Sequence, residues 1–187
     1  MNRLLASALA LVALVGCDQT TPDPRTDSER IVGARSATSA NVRVQGLPFG
    51  IPVADLANAG DVQTFTFRTD GTFTFLFDPA EGRRVTISYQ GRDYVSFPLD
   101  QTVNLAGTYT VDESADRIAL STIAGQTADD FRLGYRFAGS TGTSLELIAE
   151  DPETLARLFG IASADAARVA EFVTGGSITY TSGSTGA

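Results

Sequence analysis

The stretch from Val62 to Phe77, VQTFTFRTDGTFTFLF, decides the fold. Phe65 and Phe67 alternate with Thr64, Thr66 and Arg68. Phe73, Phe75 and Phe77 alternate with Thr72 and Thr74. Thr69-Asp70-Gly71 lies between the two runs. Successive strand side chains point to opposite faces, so all five phenylalanines share one face. Two such runs around Asp-Gly predict a tight hairpin. Burying one phenyl side chain contributes roughly 1.5–3 kcal/mol, so this face belongs to the interior of a larger β structure.

The same period continues toward the C-terminus. Val85, Ile87 and Tyr89 share a face, with a turn at Gln90-Gly91-Arg92-Asp93 and a return strand, Tyr94 to Pro98, holding Val95 and Phe97. Gly107 to Val111 places Tyr109 and Val111 inward, Glu113 to Asp116 turns, and Arg117 to Ser121 returns with Ile118 and Leu120. Phe131, Leu133, Tyr135 and Phe137 follow, opposite a face with Arg132, Gly134 and Arg136. That basic face reads as solvated surface or as a contact for an acidic or phosphorylated partner. Gly139 to Gly142 turns the chain into Ser144–Ala149.

The period then becomes helical. Asp151 and Pro152 suit the cap and first position of a helix, Leu155, Leu158 and Phe159 form its apolar face, and Gly160 ends it. Ser163 is read as the cap of a second helix through Ala166, Val169, Ala170 and Val173, stopped by Gly175-Gly176. A last strand, Ser177 to Thr181, holds Ile178 and Tyr180. Before the main hairpin, Val42 and Val44 mark a strand, Gly46 to Pro52 break it, and Ala54 to Ala59 is a turn or helical stub. About ten short strands in a meander predict a mainly β domain, an antiparallel up-and-down barrel with a short helical pair before the last strand; a β-sandwich is the alternative.

At the N-terminus, Asn2 and Arg3 precede an apolar run from Leu4 to Val15, interrupted only by Ser7, which ends in Leu14-Val15-Gly16-Cys17. Twelve residues are too few to span a bilayer as a helix. The pattern resembles the lipobox signal of bacterial lipoproteins. That resemblance implies cleavage before Cys17, lipidation on Cys17 and a lipid anchor in a bacterial membrane outside the cytoplasm. Asp18 resembles the inner-membrane retention signal of enteric bacteria. Other lineages sort differently, so both membranes stay open. The expected organisation is a signal at 1–16, a lipidated cysteine and flexible tether at 17–40, a β domain at 41–182 with its helical pair at 152–174, and a loose tail at 183–187.

Composition removes several chemistries. The chain has 187 residues and a net charge of −8, with no histidine, no tryptophan and one cysteine; all fourteen basic residues are arginine. An acidic chain offers no electrostatic footprint for nucleic acid. Without histidine there is no Ser–His or Cys–His catalysis and no imidazole metal site. Without lysine there is no Schiff base. The expectation is a protein that is not an enzyme and needs no cofactor. Asp129-Asp130 and Glu150-Asp151 could pair as carboxylates or calcium ligands, but they lack an EF-hand pattern, so no metal is expected. The run Thr179 to Gly186 resembles the phosphate loop of adenylate-forming enzymes, which continues into a lysine that is absent here. It reads as a strand and a tail.

Asp70-Gly71-Thr72-Phe73-Thr74-Phe75, then Gly107-Thr108-Tyr109-Thr110-Val111 leading to Arg117-Ile118-Ala119-Leu120, and Ser144-Leu145-Glu146-Leu147 resemble the strands of bacterial lipocalin-like domains. The resemblance covers Val62 to Ala149. It implies a barrel whose mouth takes a small hydrophobic ligand. The candidate lining residues are Phe65, Phe67, Phe73, Phe75, Phe77, Tyr89, Tyr109, Tyr135 and Phe137. On their chemistry alone these aromatics rather suit a filled core, since small barrels are usually packed. The second functional reading is a module that docks a partner protein of the cell envelope.

Overall fold

In the computed structural model the central hairpin forms with Phe65 opposite Phe75 and Phe67 opposite Phe73. Gly71 sits at φ +79°, the left-handed position that closes a three-residue loop. The Asp70 carboxylate accepts hydrogen bonds from the Thr72 amide (2.9 Å) and hydroxyl (2.6 Å), which lowers its pKa. The structure describes residues 23–53, 62–99, 101–122, 130–138 and 143–182. The signal, Cys17, the start of the tether, the Ala54–Ala59 stub, Asp129, the Gly139–Gly142 turn and the tail at 183–187 lie outside the described residues.

In chain order the elements are α1 (Asp27–Ile31), β1 (Gly33–Val44), β2 (Gly50–Pro52), β3 (Val62–Phe67), β4 (Thr72–Asp78), β5 (Arg83–Tyr89), β6 (Arg92–Leu99) and β7 (Val103–Asp112). Then follow β8 (Arg117–Thr122), β9 (Asp130–Ala138), β10 (Ser144–Ala149), α2 (Pro152–Leu158), α3 (Ser163–Ala170) and β11 (Val173–Ser182). Eight strands pair antiparallel in the order β1, β3, β4, β7, β8, β9, β10, β11. Pairing of β11 with β1 closes them into a barrel. The wall is an up-and-down meander, as its short turns predict.

The register shows how the wall closes. One row of partners runs Asp112, Arg117, Gly134, Ile148, Ser177, Asn41. It starts beyond the last β4–β7 pair, at one rim, and ends in the half of β1 far from Gly33–Ser36, where β1 meets β3. A row that climbs from rim to rim means strongly tilted strands, the condition for closing eight strands around a side-chain-filled interior.

Both ends are covered. At one end Ile31 of α1 is fully buried, Ser28 donates to the Glu113 carboxylate (2.8 Å) and the Tyr135 hydroxyl donates to Asp27 (3.0 Å). At the other, α2 packs on β10 and β11, and Phe159 meets Phe77 edge-on at 5.5 Å.

Four boundaries differ from those expected. The segment to residue 40 is not all tether, because α1 and β1 occupy 27–40. The inward positions of β1 are Gly33, Arg35, Ala37, then Ala40 after a bulge, so small residues and an arginine hide its apolar period. The β5–β6 hairpin is not part of the wall. β4 pairs directly with β7, leaving the hairpin as a separate two-stranded sheet with Val85, Ile87, Phe97 and Leu99 buried, packed against α3 and β2. β7 begins at Val103, not Gly107. Last, α3 starts at Ser163, after Ala162 and with no side-chain cap, and ends at Ala170, and Val173 to Gly176 belong to β11, with Val173 opposite Val44. Gly176 is required there by close approach: a Cβ would lie 2.7 Å from the Asn41 carbonyl oxygen.

Candidate functional site

The barrel interior is built from the inward faces of the wall strands. Four of the nine candidate aromatics, Phe65, Phe67, Phe73 and Phe75, form one ring cluster. Phe65 stacks on Phe75 at 4.5 Å and on Phe67 at 5.2 Å, and lies 6.2 Å from Phe73. Tyr109 joins through Phe67 at 5.0 Å. Tyr180, not among the candidates, completes the cluster edge-on to Phe65 at 5.5 Å. These are contact distances for aromatic pairs, and the four phenylalanines and Tyr180 are buried.

The other candidates lie elsewhere. Phe77 faces Phe159 at the α2 end. Tyr135 and Phe137 pair at 5.9 Å beneath α1, where the Arg30 guanidinium sits 3.7 Å from the Phe137 ring. Burial and the hydrogen bond to Asp27 push the Tyr135 pKa up. Tyr89 is outside the barrel, on the β5–β6 hairpin, edge-on to Phe49 at 5.2 Å.

Gln63 and the Tyr180 hydroxyl are interior polar groups that the nine candidates do not include. Gln63 is buried on the same face as Phe65 and Phe67, and both its amide atoms lack a hydrogen-bond partner among the described residues. The fully buried Tyr180 hydroxyl also lacks one, and burial raises its pKa. The signal was present: Gln63 is in phase with Phe65, and Tyr180 with Ile178. An unpaired buried polar group costs about 1–3 kcal/mol. Tyr180→Phe is therefore expected to raise stability by about 1 kcal/mol, read as a higher urea midpoint. A lower midpoint would mean that the hydroxyl is hydrogen-bonded.

Outside this packed interior, a crevice of about 500 Å³ opens at the α1 end of the barrel. Val32, Tyr109 and Val111 supply its apolar surface. Gly71 leaves room beside them, and Ser28, Glu29 and Thr69 stand at its edge. The Tyr109 hydroxyl donates to the Arg68 carbonyl oxygen (2.9 Å), which fixes the ring. Burial, with a smaller contribution from Asp70, raises its pKa. Thus Tyr109 alone of the nine candidates borders this void.

The acidic pairs separate into other roles. Asp151 caps α2, accepting from the Thr154 amide at 2.7 Å, and Glu150 pairs with Arg117 at 2.9 Å. Among the described residues no three side chains of metal-binding type cluster, and no helix is long and apolar enough to cross a membrane. A scan against models of known protein families gives no match, and a search of curated proteins gives none either.

Proposed function

We propose that this chain is an exported, lipid-anchored, non-catalytic barrel of the bacterial envelope that binds a small, largely apolar molecule. The observation that supports ligand binding is the crevice lined by Val32, Tyr109 and Val111. Its volume of about 500 Å³ and its apolar surface with a few polar groups at the edge are what small-molecule sites offer. The anchor rests on the apolar run ending in Gly16-Cys17. Two or more acyl chains hold a protein stably, at about 0.8 kcal/mol per buried CH₂.

The test is native mass spectrometry of protein purified from its own membrane. A bound small molecule is expected with the wild type and not with Val111→Arg, which places a charge in the crevice. No adduct on the wild type, or equal retention by the variant, would count against the crevice as the site. In the same experiment Cys17→Ser is expected to be released from the membrane or to accumulate as precursor. Normal cleavage with unchanged anchoring would refute lipidation.

A second reading, a docking module for another envelope protein, draws on one observation. Val62 and Leu76 are exposed on neighbouring strands, diagonal to one another across the β3–β4 pairing. Exposed apolar side chains that adjoin one another suit a partner surface.

A further inference from the structure

The outer wall carries a second groove, of about 350 Å³, where β9, β10, β11, β1 and β2 run side by side. Small residues make it concave. Arg43 of β1 has Gly50 and Gly175 as its cross-strand neighbours, and Gly134 faces Ile148. Without a side chain at Gly175, the Arg43 guanidinium lies across the strand: a Cβ there would be 2.5 Å from Nη2. Nη2 donates to the Ala149 carbonyl oxygen at 3.3 Å, and Arg43 has no carboxylate partner among the described residues. Its charge is held in place but not neutralised.

Arg136 stands on the other side of the groove. Its Nε donates to the carboxylate of Glu146, its direct partner across β9–β10. The Glu146 side chain is only 9% exposed although it points outward, while Arg136 is 69% exposed. The buried carboxylate thus orients the guanidinium and leaves Nη1 and Nη2 without partners among the described residues. Two guanidiniums share the groove with one carboxylate, an excess of positive charge on a chain whose net charge is −8. Ile148 supplies an apolar floor. Asn41 and Ser177, opposite each other on β1 and β11, supply an amide and a hydroxyl.

We propose that this groove binds a compact organic anion, a carboxylate or phosphate carried on a small apolar body, gripped between Arg43 and Arg136. Guanidinium forks match the oxygens of such anions and form charge-assisted hydrogen bonds with them. The volume suits a ligand at the small end of the usual range. The anion can come from a soluble molecule or from a lipid headgroup. The site shares no residue with the crevice at the α1 end, so it stands whether or not that crevice binds a ligand.

The test is calorimetric titration of the detergent-solubilised full-length chain with phenyl phosphate and with benzoate. One-site saturable binding is expected. It should weaken with added salt and lose about tenfold or more in affinity in Arg43→Gln and in Arg136→Gln, the loss expected for a charge-assisted hydrogen bond. Benzyl alcohol, the same ring without a charge, should not compete. Absence of saturable binding by both anions overturns the proposal. So do affinities unchanged in both arginine variants. Both side chains point away from the core, and if one variant fails to fold the other reads the same quantity. Competition between phenyl phosphate and dihexanoyl phosphatidylglycerol then assigns the source. Displacement supports a lipid headgroup in the site, and its absence alongside phenyl phosphate binding supports a soluble anion.

Discussion

Replacing Arg35 with leucine is expected to destabilise the protein by about 3–5 kcal/mol, a substantial share of the margin of a marginally stable domain. Arg35 points inward from β1 and is 4% exposed. Its Nη2 donates to the Arg30 carbonyl oxygen (2.6 Å), Nη1 to Thr143 (2.9 Å) and Nε to Ile31 (3.4 Å). Two of these acceptors close α1, whose last carbonyls have no partner within so short a helix. The third lies just before β10. The single guanidinium therefore ties α1 and the chain entering β10 to the wall. Burial, and then the neighbouring Arg25 and Arg30, lower its pKa, yet guanidinium keeps its proton in a folded protein. Leucine replaces the apolar stem and removes every donor, so the carbonyl oxygens of Arg30 and Ile31 at the end of α1 lose the guanidinium that caps them. Urea denaturation should show a lower midpoint at unchanged slope. Arg35→Lys should fall in between, because an ammonium cannot reproduce the planar fork. A loss below about 1 kcal/mol in Arg35→Leu would mean that the carbonyls find water instead.

Phe65→Ala carries the second large expected effect, about 3–5 kcal/mol. Phe65 is fully buried and touches the rings of Phe67, Phe73, Phe75 and Tyr180. These neighbours are anchored on paired strands of a closed wall and collapse little, so most of the removed volume remains as a cavity. A dry apolar cavity of that kind binds small ring compounds. Benzene should thus recover part of the lost stability in Phe65→Ala and do nothing for the wild type. The same truncation at Tyr89 serves as the control. That ring is half-buried on the hairpin outside the barrel, and its loss should cost less than half as much with no response to benzene. Equal effects at the two positions would contradict a core centred inside the wall.

The contrast between these two aromatics shows how far sequence reading reaches. Phe65 and Tyr89 sit in equally regular alternating runs, and alternation identifies an inward face without saying what it is inward of. The runs around Asp70-Gly71 and Gln90-Gly91 both become hairpins, the second through a two-residue turn with φ of +52° and +76°. Only one of the two hairpins joins the wall, because β4 finds β7 across the intervening residues. No local signal specifies that pairing. Arg35 shows the opposite failure. Its strand was hidden because the inward positions are glycine, arginine and alanine, although Thr26 and Glu29, which form the capping box of α1, are readable as a helix start.

Local chemistry in the chain was enough to set the class of structure: strands from period-two runs, turns from Asp-Gly and Gln-Gly, one helix from Asp151-Pro152, and an interior rich in phenylalanine. Those features depend on neighbours within a few residues, so they can be read without a structure. Which strands form the wall depends on contacts between residues far apart. Closure depends on β11 meeting β1, with Tyr180 opposite Ala37. That pairing decided that the aromatics pack against one another, that Gln63 and the Tyr180 hydroxyl are buried without partners among the described residues, and that Arg43 and Arg136 share one outer groove. Such juxtapositions come from register summed around a closed sheet, and no window of sequence contains it.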